Sequence, residues 1–183
     1  MAKSLTGILS QNCLFTSNRV SVLNWNHIES ALEFEHSRIQ SVLQILTPIA
    51  TKAVPEDWQN IKSINEAESW IQRRKIEGNF YGIVLSETTE IIGFLFLYPV
   101  KDVEDLVQLR LGYLLREEVW GKGIGTELIN GLVEWARHTE LIASIAGGVE
   151  KENLGSIRVL EKNGFYKSKE EMPAQMYLYK VKI

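Results

Sequence analysis

The chain has 183 residues, 45% of them hydrophobic and 23% charged, and carries a formal net charge of −3. That is one full core's worth of chain, a single domain over residues 1–183, and its acidic balance excludes a general nucleic-acid binder, which shows a basic stripe. The lone cysteine, Cys13, excludes an internal disulfide, no stretch nears the ~18 apolar residues of a membrane span, and Leu5, Ile8 and Leu9 behind Lys3 are too short and broken a run for a leader, so a soluble cytoplasmic protein with no membrane partner is expected.

In chain order, residues 1–12 read as a loose lead-in, and residues 14–25 as an irregular extended segment with Val20, Val22 and Trp25 as core candidates. Asn26 with Glu29 has capping-box character, and Ile28, Leu32, Ile39, Val42, Leu43 and Leu46 follow at helical spacing, so one helix is predicted up to Thr47-Pro48. Residues 47–62 form a connection around Pro55, placed to cover a substrate site or, through Trp58, to meet a partner. Ser63 and Glu66 make a second capping box, Ala67, Trp70 and Ile71 supply the buried stripe, and Arg73, Arg74 and Lys75 read as a solvated last turn. Residues 80–86 and 91–98 are strands joined by the polar Glu87-Thr88-Thr89-Glu90, with Gly93 marking a bulge or a close backbone approach.

After an acidic loop, Leu109, Leu111, Tyr113 and Leu115 alternate as a strand. Gly121, Gly123 and Gly125 follow, and then a helical pattern through Leu128, Ile129, Leu132, Val133 and Ala136. Strand, glycine-rich turn and helix N-terminus point backbone N–H groups at an anion, and glycines let a phosphate approach those amides. The spacing fails the dinucleotide pattern, because Thr126 stands where its last glycine belongs, and it fails the Walker pattern at Arg116. Downstream lie an apolar run over 141–149, a helix opened by Asn153 with Ile157 and Leu160 inward and Gly164 closing it, and a hairpin of 165–171 with 175–181. The fold class predicted is α/β (α+β): one mixed, mostly antiparallel sheet flanked by about four helices.

The Gly-x-Gly-x-Gly loop, followed about thirty residues later by Asn153-Leu154-Gly155-Ser156 and then by Asn163-Gly164-Phe165, resembles the GNAT superfamily of N-acetyltransferases. Trp120-Gly121 together with Asn153 and Ser156 looks like its RimJ/RimL branch. The resemblance is good over residues 60–183 and thin before them. It implies acetyl-CoA as cofactor, with coenzyme A as product, held by Gly121, Lys122, Gly123, Ile124, Gly125 and Thr126 at the pyrophosphate. It further implies that Leu114 and Leu115 lie on a splayed strand beside the pantetheine arm and that Asn153 binds the same arm while capping its helix. The tyrosine that many family members place seven residues after this asparagine is here Leu160, which leaves Ser156 as the implied proton donor to the leaving thiolate. A serine bonded back to its own helix is the plain structural reading of the same residue.

Acetyl transfer needs a thioester, a deprotonated amine, charge stabilisation at the carbonyl oxygen and a proton for the thiolate. Glu170 and Glu171 on the closing hairpin, then Glu104 and Asp105, are the candidate bases. Glu127 is expected to face away from a bound phosphate, and His27, His36 and His138 lack ligand spacing, so no metal is implicated. The acceptor is an amine, either a protein N-terminus or a small molecule, and the protein is a monomer or homodimer. A non-catalytic acyl-CoA-binding regulator and a purely structural interaction domain are the alternatives.

Overall fold

Alternating apolar residues build one eight-stranded sheet in the structure, a computed structural model that describes residues 4–35, 37–101 and 106–183. Its strands are β1 (Cys13–Thr16), β2 (Val20–Asn24), β3 (Asn79–Leu85), β4 (Ile91–Lys101), β5 (Val107–Leu115), β6 (Ile142–Glu150), β7 (Tyr166–Lys167) and β8 (Met176–Lys182). They lie in the order β1-β2-β3-β4-β5-β6-β8-β7. Every neighbouring pair is antiparallel except β5 and β6, which run parallel through the crossover helix between them. The helices are α1 (Leu5–Leu9), α2 (Trp25–Ser30), α3 (Arg38–Ile45), α4 (Ile64–Glu77), α5 (Ile124–Thr139) and α6 (Leu154–Lys162).

The two faces of the sheet bury separate cores, because successive strand residues point to opposite sides. Leu109, Leu111 and Leu115 pack with Leu128, Leu132, Ile157 and Leu160, which puts α1, α5 and α6 on one face. Leu114, Phe94 and Phe96 pack with Trp25, Ile28, Val42, Ile45 and Trp70, which puts α2, α3 and α4 on the other. Trp25 stacks on Phe80 with centroids 4.7 Å apart, and Phe80 on Phe96 at 4.9 Å, so this second core is held by a run of aromatic contacts.

The Ser63–Glu66 capping box is present, and Ala67, Trp70 and Ile71 are buried. Gly93 meets both readings of its position: the β3–β4 register shifts beside it, and a Cβ there would lie 2.4 Å from the Leu114 carbonyl oxygen. Four expectations change. The lead-in contains a helix, α1, capped by Ser4, and the Leu9 carbonyl accepts the buried Tyr81 hydroxyl at 2.6 Å. The irregular segment is a β1–β2 hairpin joined to the sheet through β3.

The single helix predicted from Asn26 is instead α2 and α3, interrupted at Ala31 (ψ 124°), with Asn24 rather than Asn26 as the first cap. Leu32, expected inward, is 84% exposed, and His36 lies outside the described residues. Arg74 is not solvated: its side chain is 4% exposed, pairs with Asp57 and Glu77, and lies near the rings of Trp58 and Trp70. No helix of the described residues is long and apolar enough to cross a membrane.

Candidate active site

The site begins where the parallel pair parts. Residues of β5 and β6 are in register from Val107↔Ile142 to Leu111↔Gly147, and there the pairing stops, although β5 continues to Leu115 and β6 to Glu150. Each strand stays paired on its outer side, β5 to β4 up to Gly93↔Leu115 and β6 to β8 up to Glu150↔Met176. The result is a fork with backbone hydrogen-bonding groups bare along its inner edges, a place for an extended ligand arm to pair.

Strand geometry decides which groups face the fork. Arg116 N–H donates to the Ile92 carbonyl, and the Leu114 carbonyl lies against Gly93, so even-numbered residues at this end of β5 turn their backbone toward β4. Leu114 therefore does not offer the free backbone expected of it; its side chain belongs to the core under α2–α4. Leu115 does face the fork, and so does Tyr113. The Leu115 carbonyl accepts the Trp120 indole N–H at 2.8 Å, which leaves its amide as the free group there. Trp120 is 47% exposed and bridges the loop back to the strand.

The glycine loop leads into α5. Gly123 is the cap residue at φ 80°, and no side chain caps the helix, so the first-turn amides of Ile124, Gly125 and Thr126 point out of a bare, positive helix end. Gly121 also has φ 71° with open space around it. Gly125 has a different reason to be glycine: a Cβ there would lie 3.3 Å from Val159, so it sets the approach of α5 to α6 rather than that of a phosphate. Lys122 is exposed, and Ile124 is buried beneath the turn.

The loop is clamped from a distant part of the chain. Glu127 accepts hydrogen bonds from the Ser17 hydroxyl (2.7 Å), the Arg19 amide (2.7 Å) and the Arg19 guanidinium (2.6 Å), while Arg19 also donates to the Lys122 carbonyl at 3.0 Å. Burial raises the Glu127 carboxyl, but these donors pull harder and hold it below the usual carboxylate range. Glu127 thus turns toward the β1–β2 turn, where its charge is paired with Arg19. Sequence reasoning had no signal for Ser17 or Arg19, which lie more than a hundred positions away.

On the far side of the fork, Asn153 Oδ1 accepts the Ser156 amide at 3.0 Å, capping α6. That cap uses only its carbonyl oxygen. The Ser156 hydroxyl is not bonded back to its own helix; it lies 3.0 Å from the Tyr113 hydroxyl across the fork. Burial raises the Tyr113 phenol above its ordinary value, with the Ser156 contact acting the other way. Leu160 is buried in the core. Tyr113 was visible in the sequence as a strand residue, but only the ending of the β5–β6 pairing marks it as a site residue.

The base candidates are not brought to this hydroxyl pair. Glu170 lies 3.6 Å from Arg110, whose side chain alternates onto the sheet face opposite Tyr113, and Glu171 is exposed on the same loop. Glu104 and Asp105 lie outside the described residues. Among the described residues no three His, Cys, Asp or Glu side chains are grouped to hold a metal.

Known proteins resemble this chain in sequence and in fold. The model of the acetyltransferase (GNAT) domain matches residues 33–166. The probable N-acetyltransferase YjcK of Bacillus subtilis (strain 168) is 36% identical over 107 residues, 58% of this chain and 57% of its own length. The chain thus spans little more than half of that relative. Among solved structures, the microcin self-immunity acetyltransferase MccE, in complex with acetyl-CoA and AMP, superposes with a TM-score of 0.71 at 18% identity, over 96% of this chain and 99% of its own. The ribosomal α-N-protein acetyltransferase RimL, in complex with coenzyme A, gives 0.70 at 17% identity over 93% and 98%.

Proposed function

The chain belongs to the GNAT acetyltransferase family, and from that premise we propose that it transfers an acetyl group from acetyl-CoA to a primary amine by direct attack on the thioester. The observation that carries this reading is the fork between β5 and β6 opening beside an uncapped helix N-terminus, both served by one continuous strand–loop–helix segment. The pyrophosphate is held by the amides from Gly121 to Thr126, and the pantetheine arm by the inward backbone of Tyr113 and Leu115 and by the Asn153 side-chain amide. When bound, acetyl-CoA supplies an activated acyl carbon. Ser156 is the proton donor to the departing sulfur, and the Leu115 amide is the oxyanion donor at the fork.

The acceptor enters from the face of the sheet that carries Arg110, Gly112 and Leu114, opposite Tyr113. Gly112 leaves that surface bare between its neighbours, the nearest heavy atom to a Cβ there being 3.9 Å away. Glu170 or Glu171, on the loop that borders this face, takes the amine proton, directly or through water. An α-amine titrates near 8, so little help is required. The combination of Trp120-Gly121 with Asn153 and Ser156 supports a reading as the RimJ/RimL branch, and with it a protein N-terminus as the acceptor.

The test is a panel of peptides with free N-termini alongside polyamines, aminoglycosides and amino-acid analogues. Thiol release and product mass are followed with acetyl-CoA as donor. Acetylation of a peptide α-amine is the expected result. Saturable acetyl-CoA binding with no transfer to any amine would instead identify a non-catalytic acyl-CoA-binding domain.

A further inference from the structure

Resting on that reading, we propose that Tyr113 is the second member of a two-hydroxyl proton chain: it donates to Ser156 Oγ, and Ser156 in turn donates to the sulfur of coenzyme A. The geometry comes from both sides of the fork. Tyr113 lies two residues past Leu111, the last β5 residue in register with β6, and its side chain falls on the α5–α6 face. Ser156 sits in the first turn of the helix that follows β6, with its amide fixed by Asn153. The 3.0 Å hydroxyl contact therefore joins β5 to the helix that follows β6, beside the point where the two strands separate.

Chemistry gives this pair a direction. A serine hydroxyl alone is a poor acid, whereas a phenol titrates near 10 and is the better donor of the two. With Tyr113 donating to Ser156 Oγ, the serine hydrogen is left for a third group in the fork. The amine nitrogen forms the C–N bond as the C–S bonding pair moves to sulfur. The Ser156 proton passes to that sulfur, the Tyr113 proton passes to Ser156 Oγ, and water restores the phenol. Glu170 or Glu171 takes the extra proton of the ammonium nitrogen, directly or through water, and releases it to solvent, so amine plus thioester becomes amide plus thiol with no net proton taken up. A phenol is protonated at neutral pH, as a donor must be, and burial raises Tyr113 further while the Ser156 contact acts the other way. Tyr113 acts through Ser156 and is a positioning residue.

The test needs no acceptor. Coenzyme A is bound to the wild type, Tyr113→Phe and Ser156→Ala, and its thiolate absorbance is followed with pH, with acetyl-CoA affinity measured in parallel by calorimetry. A donor aimed at sulfur favours the thiolate, so the wild type holds the bound thiol below free coenzyme A. Tyr113→Phe raises it by about half a pH unit or more, Ser156→Ala raises it at least as far, and the double variant goes no further than Ser156→Ala. Acetyl-CoA affinity stays within about threefold, a change of under about 0.7 kcal/mol.

Replacing Tyr113 with 3-fluorotyrosine keeps its shape but strengthens the donor, and moves the bound thiol down. A bound thiol that titrates alike in the wild type, Tyr113→Phe and the fluorinated protein overturns the proposal and leaves a bond that merely ties α6 to β5. Failure of the wild type to bind coenzyme A at all is a separate result, which removes the acetyl-transfer reading and this chain with it.

Discussion

Gly123 carries two constraints in one residue. Its φ of 80° is a conformation that costs an L-residue about 1–2 kcal/mol, and its amide neighbours form the bare end of α5. Gly123→Glu adds a carboxylate at the mouth of that end. The expected outcome is a folded protein, by circular dichroism, with acetyl-CoA binding lost; retained binding would remove the loop from the pyrophosphate site. Glu127 makes a complementary case, since its donors from Ser17 and Arg19 fix the same turn. Its carboxyl is held low in the folded state, so its contribution is fully present above the unfolded value near 4.3 and is lost as pH falls through the lower folded value. Glu127→Gln should cost about 1–2 kcal/mol at pH 7, a fall of roughly 3–6 °C in Tm. The gap to wild type should close below pH ~4. A gap independent of pH would mean that the carboxylate charge plays no part in the clamp.

Elements that rest on local chemistry were legible, and elements fixed by distant partners were not. The Ser63–Glu66 box needs only residues three apart, and the hairpin over 87–90 only a polar turn between two apolar runs. The break between α2 and α3 was hidden because the apolar spacing stays in phase across it, while the packing of Trp25 on Phe80 fixes the earlier start at Asn24. Arg74 misled for the same reason: a cation in a last turn suits the helix dipole anywhere, and only the fold brings Asp57 and Trp58 over it. That makes α4 the anchor of the 47–62 connection. Asp57 and Glu77 are themselves half exposed, so removing the guanidinium strands no buried charge. Arg74→Ala should therefore cost about 2–3 kcal/mol, mainly through lost packing against the two indoles, and Arg74→Met distinctly less. Urea midpoints of the two variants check this. Equal losses would put the stabilisation in the ion pairs rather than in the side-chain stem.

At the scale of the whole molecule, the fork is where the sheet gives up the pairing of β5 with β6, between strands whose outer edges remain paired. The glycine clusters marked a candidate anion site in the sequence, but no residue pattern records where a parallel pair stops, and so Tyr113 was not singled out. A ligand that fills the fork supplies partners to β5 and β6 together and to the end of α5, and binds only the folded chain. At a hundredfold excess over Kd such linkage is worth ~2.7 kcal/mol, or roughly 5–10 °C in Tm for a domain of this size. Thermal unfolding with acetyl-CoA should show that shift, and Gly123→Glu should not. Adenosine diphosphate, which offers the pyrophosphate without the pantetheine arm, should give a smaller shift than acetyl-CoA, because it reaches the helix end but leaves the strand edges bare. Equal shifts from the two would place the binding energy wholly at the loop and leave the fork without a ligand. No shift from either would reduce the glycine loop to a tight turn.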